Sequence, residues 1–149
     1  MITEGVQQVL TVLYPLYKQE VYRRREQMMR LTAFGSLGLI AMLFALLLSP
    51  QKERLTTTEA FLIGFASLVW CVLFCALILQ QQNRHRMAKQ VLVQLEQALG
   101  FYEEGLFVEQ QALYPNGWKT AWLGDRTSTL YFSCLWLLTG LLFLALFSL

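Results

Sequence analysis

Residues 60–83 read AFLIGFASLVWCVLFCALILQQQN and contain no Lys, Arg, Asp, Glu or His. A helix needs about 20 apolar residues to cross about 30 Å of hydrocarbon. A charge-free run of this length therefore reads as a transmembrane helix. Two further windows share the property, Leu31–Gln51 and Thr127–Leu149. The whole chain of 149 residues is 56% hydrophobic and 15% charged, against about 25% charged in an ordinary soluble domain. So small a polar remainder could not cover three apolar helices in water. The expected spans are 31–49, 60–80 and 130–149.

The predicted fold is an all-α integral membrane protein with three transmembrane helices. A juxtamembrane helix fills residues 1–30, and spans 1 and 2 form a hairpin over 31–80 with a short outer loop. A cytoplasmic amphipathic helical hairpin is expected over 81–129, before the third span. Leu31–Gln51 comes after some thirty mostly polar residues and has no small-x-small cleavage site, so it is expected to act as a signal anchor.

Within the second span, Ala60, Gly64, Ser67, Cys71 and Cys75 are separated by steps of four, three, four and four. That spacing lines small residues along one helix face, and in lipid such faces let backbones approach closely. It predicts a helix-packing seam, against another span of this chain or against a second copy. Cys71, Cys75 and Cys134 all fall in spans, with no zinc spacing and no CxxC. They read as small hydrophobes.

Orientation is set by the Lys/Arg count beside the spans. Lys18, Arg23, Arg24, Arg25 and Arg30 precede span 1, and Arg84, Arg86, Lys89, Lys119 and Arg126 lie between spans 2 and 3. The loop between spans 1 and 2 holds only Lys52 and Arg54. The N-terminus and residues 81–129 are therefore expected in the cytoplasm, and the C-terminus at the outer face, in a bacterial inner membrane. Arg23, Arg24 and Arg25, with Trp118 and Trp122 ahead of span 3, suit the headgroup layer and anionic lipid.

Along the N-terminal segment Val6, Leu10, Leu13, Leu16 or Tyr17, Val21 and Tyr22 recur at helical steps, and Pro15 predicts a kink or break after Tyr14. Thr56–Thr58 offers an N-cap for span 2. Beyond it, Ala88, Val91, Leu92, Leu95, Ala98 and Leu99 form an apolar stripe. The expected outer face carries Arg84, Arg86, Lys89, Gln94, Glu96 and Gln97, and His85 is read as a solvated interfacial side chain. Gly100 suits the C′ position of this helix and Phe101 its C″. Gly105 and Pro115-Asn116-Gly117 punctuate the next segment, in which residues 106–114 read as a short helix or an extended loop.

No catalytic constellation is legible. Glu103 and Glu104 are adjacent and point in different directions on any regular backbone, while general acid–base work needs groups that converge. A contact between these carboxylates and a basic segment such as Arg23–Arg25 is a more natural expectation than catalysis, and two exposed carboxylates on a turn are more natural still. The sequence has no phosphate loop, no Ser/His/Asp set and no metal-ligand spacing. Neither a cofactor nor a small-molecule substrate is expected, and a net charge of +2 gives no case for nucleic acid. Partner contacts are expected at Phe101, Tyr102, Glu103, Glu104, Phe107 and Tyr114. Over residues 1–99 the layout resembles, in topology alone, small bacterial membrane proteins that include two-span effectors of anti-phage systems. The resemblance has no motif through which a residue role could be transferred.

The functional expectation is a non-enzymatic integral membrane protein. It would be an oligomeric scaffold or accessory subunit of a larger membrane assembly, with lipid and protein as partners. The alternative is an oligomeric pore or membrane-perturbing effector, lined by Ser36, Ser67 or Thr139.

Overall fold

A computed structural model describes residues 4–48, 56–120 and 126–148. Helix α1 spans Glu4–Leu48, α2 Thr57–Ala98 and α3 Thr127–Ser148. Between α2 and α3 lie strands β1 (Glu104–Val108) and β2 (Gln111–Ala112), then a 3-10 turn over Asn116–Thr120. All three helices are long and apolar enough to cross a membrane. The protein is thus a helical integral membrane protein. The outer loop expected after Ser49 and the residue Trp122 lie outside the described residues.

Two compact units are present. One comprises Met1–Glu26 with Gln81–Asp125, the other Gln27–Gln80 with Arg126–Leu149. The second contains the apolar windows. Its core is Leu39 of α1, Cys71 and Ile78 of α2, and Leu135 of α3. A second cluster joins Leu46, Leu142 and Leu146, with Met42, Ala60 and Ile63 against it. Gly35 and Gly38 make room for α2. A Cβ on Gly38 would sit 2.7 Å from the Trp70 ring, and one on Gly35 would sit 2.9 Å from Phe74. Trp70 Nε1–H also donates to the Gly35 carbonyl at 3.1 Å.

The outward faces of this unit carry Phe34, Leu37, Phe44, Phe61, Phe65, Val72, Leu137 and Leu144, all exposed. Water would penalise so much exposed apolar surface, and hydrocarbon would not. Three hydroxyls in the spans bond to their own helices, and the Ser36 hydroxyl pairs with Cys134 Sγ of α3 at 3.7 Å. Thr32 donates to the Met28 carbonyl at 2.9 Å, Ser67 to Gly64 at 2.8 Å and Thr139 to Leu135 at 2.9 Å.

The helix ends are chemically defined. The Thr56 N–H donates to Glu59 Oε2 at 2.8 Å and the Glu59 N–H donates to Thr56 Oγ1 at 3.3 Å. This reciprocal capping box starts α2. At the other end the Gly100 N–H bonds the Gln97 carbonyl and the Phe101 N–H bonds the Glu96 carbonyl, each at 3.0 Å. These are the two bonds of a Schellman stop, and Gly100 adopts the positive φ of +77° that it needs.

Of the two alternatives expected at Pro15, a break is excluded, because Pro15 lies inside the continuous helix α1. An interior proline costs about 3 kcal/mol by leaving one carbonyl without a helical donor. Residues on both sides of it are helical, and the adjacent Tyr14 is anchored by its ring against Phe101 and its hydroxyl against Tyr114. The expected helical hairpin over 81–129 has only one helical arm, the end of α2. Its second arm is an antiparallel β-hairpin that pairs Glu104 with Ala112 and Val108 with Gln111. Gly105 at φ +79° and Gln110 at φ +58° occupy left-handed backbone, which a right-handed helix cannot include.

Candidate functional site

The first unit is built around aromatic rings. Phe101, at the α2 stop, meets the edge of Tyr14 at 5.5 Å between centroids, Phe107 at 5.6 Å and Tyr114 at 5.4 Å. Tyr114 also contacts Tyr102 at 6.0 Å and Trp118 at 5.3 Å. Most of these pairs are edge-to-face, a geometry that contributes about 0.5–1.5 kcal/mol each beyond area burial. Polar contacts close the cluster. The Tyr14 and Tyr114 hydroxyls are 3.1 Å apart, and the Tyr114 N–H donates to the Phe101 carbonyl at 2.9 Å. Lys119 Nζ stands 5.1 Å over the Tyr102 ring.

Tyr102 is buried and donates its hydroxyl proton to Glu96 Oε2 at 2.7 Å. Glu96 is itself only 8% exposed. Burial first, and the bond to Glu96 second, push the Tyr102 hydroxyl above the usual phenol range. Glu96 thus faces inward rather than with the solvated residues of α2. The helical period shows why: Glu96 lies four residues after Leu92 and eight after Ala88, on the apolar stripe. His85, at 4% exposure, belongs to the same inner face and is not a solvated side chain.

The residues expected to contact partners divide into two groups. Phe101, Tyr102 and Tyr114 are consumed by the cluster. Phe107 keeps 54% of its surface exposed, and Glu103 and Glu104 are exposed. Around Phe107 the hairpin and the turn after it expose Leu106, Val108, Leu113 and Trp118. Every residue of β1 is exposed. On α1, in the same unit, Val9, Val12 and Leu16 form an exposed apolar row at helical spacing. Leu106, Val108 and Leu113 carry no distinct signal in the sequence, because a strand apolar at successive positions gives no alternation to read.

Among the described residues, Glu103, Glu104 and Glu109 make no ion pair with the arginine segment. Arg24 instead bonds Glu20, its neighbour one turn back, and Gln81 Oε1 of α2 at 3.1 Å. Arg23 and Arg25 are exposed.

In the second unit Gly64, Ser67 and Cys71 are buried, and Ala60 and Cys75 are half-buried. The small-residue row therefore packs within the chain. A Cβ on Gly64 would meet the Phe143 ring at 3.3 Å. An apolar groove of about 180 Å³ remains beside it, lined by Ala60, Phe61, Phe65, Leu68, Phe143 and Phe147 among others. No group of three His, Cys, Asp or Glu side chains converges as a metal site among the described residues. Set against protein-family models, curated proteins and solved structures, the chain matches none.

Proposed function

We propose that this chain is a non-enzymatic, oligomeric scaffold or accessory subunit of a membrane assembly, and that its aromatic unit is the docking module. One observation supports the reading. Outside the spans, the unit keeps Leu106, Phe107, Val108, Leu113 and Trp118 exposed on the hairpin side, and Val9, Val12 and Leu16 on α1. Apolar side chains grouped in this way on a water-facing unit are the usual mark of a protein interface. The rings beneath them hold the backbone in place, so little ordering entropy is lost on docking. A rim of Glu103, Glu104 and Glu109 favours a basic partner surface.

The Lys/Arg balance favours a cytoplasmic location for this unit and the N-terminus, in a bacterial inner membrane. The test is the mass of the full chain in mild detergent, for the wild type and for Leu106→Ser/Phe107→Ser. A multiple of the chain mass, or a stoichiometric second protein, that the variant loses is the expected result. A monomer without a co-purifying chain in both cases would overturn the proposal.

A further inference from the structure

Four exposed arginines of the first unit lie within eight residues of a charge-free window. They flank two inward-facing residues. Arg24 is turned inward and held by Glu20 and Gln81. Arg23 and Arg25 flank it at about 100° to either side, as successive helical residues must. On α2 the buried His85 is flanked in the same way by Arg84 and Arg86. All four flanking guanidiniums are exposed.

The helices run antiparallel, with Arg24 opposite Gln81. With both inner faces turned toward each other, right-handed helices place Arg23 and Arg84 on one side of the pair, and Arg25 and Arg86 on the other. Their heights are set by a rise of about 1.5 Å per residue. Arg23 lies one residue beyond Arg24, and Arg84 three residues beyond Gln81, in the same direction. Their axial offset is therefore about 3 Å. For Arg25 and Arg86 the same counting gives about 9 Å. Two exposed positive side chains at about one level on the same side of the pair are placed to share one anion.

Arg84 comes directly after the last residue of the charge-free window, and it lies about 6 Å of helix beyond Gln80. That is the depth of the headgroup layer, which adds about 5–8 Å to each side of the hydrocarbon. A guanidinium offers planar paired donors that match phosphate oxygens, where an ammonium would offer a point charge.

We infer that Arg23 and Arg84 form a clamp for the phosphate of an anionic phospholipid, with Arg25 and Arg86 as a looser second position. This inference requires the membrane spans and not the association of copies, so it can fail or succeed independently of the docking proposal.

The experiment is native mass spectrometry of the full chain released from mild detergent, titrated with phosphatidylglycerol or with phosphatidylcholine. The wild type is expected to retain phosphatidylglycerol preferentially. Each basic residue beside an anionic surface contributes about fivefold, so Arg23→Gln/Arg84→Gln should reduce that preference by about 30-fold. Arg25→Gln/Arg86→Gln should reduce it less. Lys18→Gln/Lys119→Gln removes the same net charge away from the span ends and should leave it unchanged. Unchanged helical circular dichroism shows that the variants are folded.

Equal retention of both lipids by the wild type would overturn the inference. So would an equal loss in the Lys18/Lys119 variant, which would reduce the effect to net charge. Millimolar inorganic phosphate should not displace the lipid; displacement would mean a site for free phosphate and would overturn the assignment to lipid.

Discussion

Replacing Tyr102 by Phe removes a single oxygen, the donor that bonds the buried Glu96 side chain. The Tyr102 hydroxyl is 2.7 Å from Glu96 Oε2, and Glu96 is 8% exposed, so little water can replace the lost donor. A hydrogen bond to a charged group contributes about 1.5–3 kcal/mol, and an unsatisfied buried acceptor carries its desolvation cost in full. At about 2 kcal/mol, local opening of the unit becomes about 30-fold more frequent. Two amides report it. The Phe101 N–H bonds the Glu96 carbonyl and the Tyr114 N–H bonds the Phe101 carbonyl. Hydrogen exchange of the full chain in detergent, read by mass spectrometry over peptides covering 95–115, should accelerate by about that factor while α3 peptides stay unchanged. A second variant separates the effect of the lost bond from simple loss of packing. Tyr102→Phe/Glu96→Leu removes both polar partners, and exchange should return most of the way to wild type, because no group is then left unsatisfied. Exchange unchanged in Tyr102→Phe, or a double variant worse than either single change, would refute the reasoning.

Four further outcomes are expected. Gly38→Ala places a methyl 2.7 Å from the Trp70 ring, whereas Gly140→Ala meets nothing within 4 Å; thermal unfolding in detergent should show a loss of about 1–3 kcal/mol for the first and no loss for the second. Gln110→Gly relieves a left-handed residue at φ +58° and should slow exchange in the hairpin by an amount corresponding to about 1 kcal/mol. Tyr102 holds its proton more tightly when folded, so its contribution to stability is complete below the ordinary phenol value of about 10 and is lost as pH rises through the higher folded value. An absorbance titration at 295 nm should accordingly lack two tyrosine steps near pH 10 in the wild type relative to the urea-unfolded chain, because burial and the Tyr114 hydroxyl raise Tyr14 as well, and Tyr102→Phe should reduce the difference to one. Liposomes containing the purified chain should not leak dye, since Ser67 and Thr139 are buried and bonded within their own helices and the half-buried Ser36 pairs with Cys134 of α3; leakage that Gly64→Leu suppresses would favour the pore alternative.

How much of the fold is legible in the sequence depends on the range of the interactions involved. Apolar windows, the cap at Thr56 and the stop at Gly100 are set by residues within a few positions of one another, so a single sequence displays them. The inward turn of Glu96 and His85 depends on which face of α2 meets α1, a tertiary fact. Polar identity argues for the outside, and helical period for the inside; period is the better guide. At Pro15 the surrounding helix continues through a residue that the local rule allowed to break it. The β-hairpin depends on left-handed Gln110, a conformation that side-chain chemistry does not announce. The exposed surface of the site is half legible: Phe107 stands out as an aromatic outside the spans, but Leu106 and Val108 gain meaning only once β1 is seen with no cover on either face.

Photo-crosslinking from position 107 in native membranes addresses the docking proposal most directly. The full chain would be expressed with p-benzoylphenylalanine in place of Phe107, and separately in place of exposed Gln94 on α2. A discrete protein adduct of defined mass from position 107, absent from position 94 and lost on adding Leu106→Ser, is the expected result. Illumination that yields no protein adduct at 107, or the same adducts from both positions, would contradict the claim that this unit docks a protein.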